Sequence, residues 1–499
     1  MNPLKKLAGQ TAFYGVSTIL GRLLNYALVP LHTSVFEDTA QYGAITELYA
    51  YVGFLNILYT YGMETAFFRF VSRKEIAPQD QQKVYSSAVT AVLSTSFIFS
   101  AIIIGASGGI ASLIGYPESS HIIIWLGLIM FTDAVMAIPY AKLRQENRPL
   151  KFAVTKISSI VLTVLLNLFF LILLPKIHTY SSLLDAIYYP DMGVGYVFMA
   201  NLIGNAIIPI LLWRSLAQVR LSIDWQVFKK MLAYGYPILI MGLGGMVNEN
   251  IDKLLLNDLL PADFYADMSP NEALGAYGAC FKISVLMTLA VQAFRYAGEP
   301  FFFSQADNKE APELFAKVMH YFTILSIIIL LGVSVNLELI GSMFLRSKGY
   351  LDALYVVPFL LLAKLLFGVY NNLTIWFKLT DKTKFGTYFS ILGAMITLFG
   401  NILLIPYIGL LGCAVASIAC YFVMCIICYY YGQKYYPIPY NFTSSILYLV
   451  AALVMVYVSF QIKIEHELLK HLLNICSVLV FIGVVYLIER RKLLYQRIS

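Results

Sequence analysis

Residues 273–303 read ALGAYGACFKISVLMTLAVQAFRYAGEPFFF, an apolar run that carries Lys282, Arg295 and Glu299 inside it. At about 1.5 Å rise per residue, a helix of this length exceeds the roughly 30 Å hydrocarbon core of a bilayer, so it spans with tilt. Its charges then fall in or near lipid. Each costs on the order of 3 kcal/mol on insertion scales, and ionisable groups at that depth face a bundle interior or a water-filled cavity. Two expectations follow: a helical fold built into a membrane, and a polar path through it.

Working outward, the 499 residues are 59% hydrophobic and only 13% charged, with a mean hydropathy of +0.74. That exceeds the apolar content of ordinary soluble domains and reads as an all-α polytopic membrane protein. The formal net charge of +7 marks a membrane side, since Lys and Arg collect in cytoplasmic loops; it does not imply a nucleic-acid partner. The six cysteines (Cys280, Cys413, Cys420, Cys425, Cys428, Cys476) all lie in apolar runs. Cys425 and Cys428 have the spacing of a redox or metal pair, but no His or Asp accompanies them mid-span, so packing is the expected use. His32, His121, His178, His320, His466 and His471 are scattered at span ends, so neither a metal site nor a cofactor is expected. The basic start leads into an apolar segment too long for a removable signal, which reads as the first span.

In order, spans are expected at about 7–36, 42–70, 84–114, 122–140, 152–174, 194–213, 234–256, 273–303, 314–337, 353–377, 387–405, a twelfth ending near 431, then 444–460 and 469–488. Alternating the loops puts about 23 of the 35 Lys and Arg on the side of the termini and about 5 opposite, which orients both termini to the cytoplasm. The loop Ala141 to Lys151 is basic and should be cytoplasmic; the loop Asn257 to Glu272 lacks Lys and Arg and should be external. Tyr14-Gly15 leading to Tyr42-Gly43-Ala44 is echoed by Tyr234-Gly235 leading to Tyr277-Gly278-Ala279. Both copies begin on the cytoplasmic side, as in a parallel repeat; chance likeness of apolar segments is the alternative. The expected organisation is an N-lobe of six spans (1–220), a C-lobe of six (221–435), and two further spans with a basic cytoplasmic tail (436–499), with substrate held between the lobes and exposed alternately.

Arg22, Lys282, Arg295 and Lys364 are the deepest cations and would make that cavity cationic. Guanidinium is permanently charged and its planar fork suits phosphate and carboxylate, so an anion is the expected substrate group. Internal pairing is the competing use: Arg295 and Glu299 are spaced i,i+4, and Lys253 adjoins Asp252. Glu64, Arg69 and Lys156 lie near the cytoplasmic face as anchors or gate contacts, while Asp133, Glu64 and Asp252 are candidates for a coupling ion or proton. Tyr370, Asn371, Asn372 and Trp376 are candidates for lining a sugar path, with core packing the favoured alternative.

Several stretches carry a resemblance: Gly21-Arg22, YGMETAFFRF at 61–70, YGYP at 234–237 leading to Asp252-Lys253, LGAYGACFKI at 274–283, QAFRYAGEPFF at 292–302 and IPYIGLLGCAVAS at 405–417. In their order and spacing they resemble the multidrug/oligosaccharidyl-lipid/polysaccharide exporter superfamily, and within it the polysaccharide-transporter branch that includes Wzx-type O-antigen and capsule flippases. The resemblance implies two six-span lobes, a central cationic cavity and two extra C-terminal spans. It also implies a lipid-pyrophosphate-linked oligosaccharide as substrate, moved across the bacterial inner membrane beside glycosyltransferase and polymerase machinery, with Na+ or H+ as the candidate coupling ion. Drug exporters of the superfamily often carry an acid in the first span, and here none precedes Glu37, which favours the flippase branch. A cation-coupled multidrug or small-molecule exporter is the alternative. A membrane glycan polymerase or ligase is less well supported, because the external loops near 177–192 and 257–272 hold no His pair or nucleophile motif.

Overall fold

The computed structural model describes residues 19–71, 78–305, 308, 310–462, 464 and 466–498. Tyr14-Gly15, one limb of the expected repeat, lies outside them. The described residues are helical throughout, apart from turns, bends and an isolated bridge between Tyr265 and Met268. Sequestering every backbone N–H and C=O within a helix is what the absence of water in the hydrocarbon demands.

The chain forms two compact units, Met1–Asp258 and Leu259–Ser499. In the first, a helical segment 19–26 precedes α1 (Leu28–Val35), α2 (Thr39–Thr60), α3 (Met63–Val71), α4 (Pro78–Gly105), α5 (Ser120–Gln145), α6 (Pro149–Leu168), α7 (Gly195–Leu211) and α8 (Trp225–Leu259). The second holds α9 (Pro270–Ser304), α10 (Ala311–Val335), α11 (Val357–Leu373), α12 (Lys384–Ile408), α13 (Leu410–Tyr435), α14 (Thr443–Gln461) and α15 (Glu467–Ile498). Among the described residues, eleven helices are long and apolar enough to cross a membrane, making this a multi-pass membrane protein. The expected fourteen exceed this by three for physical reasons. The first span begins within residues not described, α7 is apolar but only 17 residues long, and α2 is polar for a span. Residues such as Thr46 and Glu47 are tolerated in α2 because they are buried inside the unit instead of facing lipid.

The expected second span is not continuous. Tyr61 (φ 34°) and Gly62 (φ 73°) both take left-handed backbone and separate α2 from α3. Gly62 sits against Gly235 of α8, where a Cβ would stand 2.5 Å from the Gly235 carbonyl oxygen. Farther along the same antiparallel pair, Gly242 faces Ile57 and Gly53 faces Met246. Small residues at these positions let two membrane helices approach closely where the hydrophobic effect offers no drive. This packing explains why α8 belongs to the first unit, while the boundary expected at 220/221 follows the repeat.

In the second unit, a buried aromatic nest fixes the end of α11. Trp376 stacks on Tyr435 (ring centroids 5.6 Å apart) and donates from Nε1 to the Cys428 carbonyl at 3.2 Å. Gly432 makes room for the indole, since a Cβ there would stand 3.0 Å from its Cδ1. Trp376 is therefore core, as its aromatic and apolar setting favours, and does not line a sugar path.

Candidate functional site

Each unit gathers charged side chains inside its apolar helices. In the first unit, Gly21 is buried against Ile160 of α6, whose Cδ1 would lie 2.6 Å from a Cβ at that position. The contact brings the next residue, the exposed Arg22, close to Lys156, one helical turn before Ile160. The charges of Arg22, Glu64, Arg144 and Asp133 all act on Lys156, so three cations and two acids share one neighbourhood. Glu64, at the start of α3, is ion-paired with Arg144. Asp133 of α5 accepts a hydrogen bond from Asn205 Nδ2 at 3.0 Å. Arg69 lies over the Tyr234 ring, 4.1 Å from its centroid. Asp252 and Lys253, both buried on α8, form an ion pair at 3.2 Å, and Lys253 Nζ also donates to the Glu249 carbonyl at 2.8 Å. The pairing expected for these neighbours is thus present.

Arg144 is a site residue that sequence reasoning missed. Its charge placed it in a basic loop, yet α5 continues to Gln145, Pro139 included, and sets Arg144 on the last turn within reach of Glu64. The available signal was the absence of a helix-ending Gly before Asn147.

In the second unit, Arg295 of α9 is half-buried and lines a narrow cavity with Asn371, Asn372 and Lys378, walled by Val291 and Phe294. Asn372 is 5% exposed; its Nδ2 donates to the Gly368 carbonyl at 3.1 Å while its Oδ1 is buried without a hydrogen-bond partner. Arg295 also approaches the ring of Tyr296, 5.7 Å from its centroid. Lys378 is a second residue missed from sequence. It lies seven residues beyond Asn371, about two turns along one face, and charge alone assigned it to a basic loop. Lys364, on the same helix, is 4% exposed with its ammonium 4.8 Å from the centroid of Phe281. Lys282 is exposed on α9. The side chain of Glu299, the expected partner of Arg295, lies outside the described residues.

The cavity is about 20 Å3, room for roughly one water molecule. Chemically it offers a guanidinium fork, an ammonium and carboxamides, a set that suits an anionic oxygen with a hydroxyl beside it. Among the described residues, no three His, Cys, Asp or Glu are arranged to hold a metal, and the six cysteines are free thiols.

Helices of membrane-spanning length with charges gathered inside both units define a polytopic membrane protein of transporter type. The family model described as polysaccharide biosynthesis protein matches residues 38–351, and the chain belongs to that family. Comparison with curated protein sequences gave no match. Among solved structures, the chain is similar to the lipid II flippase MurJ in an inward closed conformation. Identity is 13%, coverage is 96% of this chain and 99% of that one, and the TM-score is 0.71. It is also similar to an inward-facing multidrug resistance MATE family transporter of the MOP superfamily, at 14% identity, 82% and 93% coverage and a TM-score of 0.61. A MOP superfamily transporter from Pyrococcus furiosus, described as having a binding pocket of reverse polarity, matches at 13% identity, 87% and 98% coverage and a TM-score of 0.61. The fold is that of this superfamily.

Proposed function

We propose that this protein is a flippase that carries a lipid-linked oligosaccharide, an undecaprenyl-pyrophosphate repeat unit, from the cytoplasmic to the outer leaflet of the bacterial inner membrane for surface-polysaccharide biosynthesis. The observation that carries the reading is the Arg295, Lys378, Asn371 and Asn372 cavity, because a pyrophosphate cannot cross hydrocarbon uncompensated and these groups compensate it. Membership of a polysaccharide-biosynthesis family and likeness to a structure named as a lipid II flippase support the same substrate class. The cavity holds about one water, so its walls part to admit a head group, and binding energy is spent on that opening.

In this reading Arg295 engages the pyrophosphate, Arg22 is a further candidate contact for it, and the protein exposes the head group to one leaflet and then the other. Both termini are cytoplasmic, no covalent chemistry occurs, and Asp133, Glu64 and Asp252 are the candidates through which a Na+ or H+ gradient acts. Glycosyltransferases and a polymerase supply and consume the substrate. Surface-glycan complementation in a deletion strain tests the reading, with membrane abundance checked by immunoblot. Arg295→Ala abolishes export at normal abundance, whereas Arg295→Lys keeps part of it because the charge survives and the bidentate fork does not. Near-normal export by both Arg22→Ala and Arg295→Ala would refute recognition by these cations.

A further inference from the structure

A second, larger cavity of about 380 Å3 opens in the second unit where the start of α10, the start of α14 and the end of the apolar part of α15 meet. Its walls are partly apolar, and the polar groups on them are Glu313, Lys317 and His320 from the first turns of α10, Ser444 from α14, and Glu489 and Lys492 from α15. All three helices pass from apolar to polar sequence here. The cavity therefore stands at the level where a membrane span meets the headgroup layer, on the side of the C-terminal end of α15.

Its back wall is a saturated network. The Glu489 carboxylate meets His320 Nε2 at 3.0 Å on one oxygen and accepts from Tyr448 Oη at 2.7 Å and Lys492 Nζ at 2.6 Å on the other. His320 Nδ1 is 3.1 Å from Ser445 Oγ, and Lys492 Nζ donates to Ser444 Oγ at 2.8 Å. These bonds join the last two helices to α10 and hold Lys492 in place with a donor left over, since an ammonium has three. Glu313 and Lys317, both exposed and one turn apart, form the front. A ligand entering here meets two ammonium groups and one uncommitted carboxylate, because Glu489 is already occupied.

We propose that this cavity binds the headgroup of a zwitterionic aminophospholipid, with its phosphate against Lys317 and Lys492 and its primary ammonium against Glu313. The volume lies within the roughly 300–1,000 Å3 of small-molecule sites. Charge pairing selects among headgroups. An anionic headgroup satisfies the lysines and leaves Glu313 facing negative charge. A phosphocholine presents no N–H to that carboxylate. Only phosphate with a primary ammonium answers all three groups, and the bound lipid fills the seam between α10 and the C-terminal helix pair.

Native mass spectrometry of the full-length protein, purified in detergent and supplied with equal amounts of phosphatidylethanolamine, phosphatidylglycerol and phosphatidylcholine, tests this. Wild type retains phosphatidylethanolamine about tenfold better than either of the others, the factor one charge-assisted contact supplies. Lys317→Ala lowers that retention, and Glu313→Lys turns the preference toward phosphatidylglycerol. Equal retention of the three lipids by wild type, or a preference unchanged in both variants, overturns the proposal. Glycerophosphoethanolamine, the headgroup without tails, leaves the bound lipid in place; displacement at equal concentration would assign the site to a soluble metabolite and overturn it as a lipid site.

Discussion

The charged cluster of the first unit and the one around α9 and α11 of the second hold positive charge by different means. In the first, carboxylates stand beside the cations: Glu64 with Arg144, Asp252 with Lys253, and Asp133 within range of Lys156. In the second, Lys364 lies near the Phe281 ring, and Arg295 and Lys378 share a cavity with two asparagines. A carboxylate cancels a formal charge, whereas an aromatic face or a carboxamide stabilises a cation and leaves its charge available. Under the proposed function, the contrast favours substrate capture at the cavity lined by Arg295 and a positioning or coupling role for the first unit's pairs.

The largest expected effect on stability lies where helices touch through glycine. Gly62→Ala puts a Cβ 2.5 Å from the Gly235 carbonyl and a side chain on a backbone with φ of 73°. The left-handed backbone alone costs about 1–2 kcal/mol before the clash is relieved. Thermal unfolding in detergent and membrane abundance should both fall, and Gly62→Ala with wild-type values would show that α2 and α8 do not depend on this approach.

Next is the Glu64–Arg144 pair. Both side chains are more than a third exposed, so solvent screening keeps the pair's stability worth to about 1 kcal/mol or less. Its functional effect should be larger than its stability effect. Glu64→Gln is expected to reduce export with unfolding temperature nearly unchanged, and exchanging the two residues should restore part of it. An exchange no better than either single change would remove the pair from the mechanism.

The effect of Phe281→Leu, which removes the ring near Lys364, is expected on stability alone. A cation–π contact of this kind contributes roughly 0.5–2 kcal/mol. The variant should lose that much stability, and Lys364→Met in the Phe281→Leu background should cost less than Lys364→Met alone. Additive losses would mean that the ring and the ammonium are not coupled.

Much of this was readable in the residues. The helical membrane fold follows from hydropathy alone, and the run 273–303 does form one long helix with Arg295 on a cavity wall. The family was legible in motif order. What escaped notice had local causes. Tyr61-Gly62 interrupts an apolar run without changing its hydropathy, so a helix break looks like a continuous span. Arg144 and Lys378 read as loop cations because charge outweighs helical spacing at a span end, yet both sit on helical turns, Arg144 paired with Glu64 and Lys378 on a cavity wall. For Trp376 the sequence favours the core over a path, and the placement of Tyr435 and Gly432 decides for the core.

The central claim, that the second unit's cationic cavity captures the head group, is tested most directly by leaflet transfer of a lipid-pyrophosphate-linked sugar in vesicles with purified protein. Wild type, Arg295→Ala, Lys378→Ala and the double variant are compared at equal reconstitution. The account predicts losses of about tenfold or more for Arg295→Ala and less for Lys378→Ala, as expected when a charge-assisted bidentate contact is removed. The double variant should fall short of the product of the two losses, because both act on one bound anion. Transfer at the wild-type rate by the double variant would contradict it.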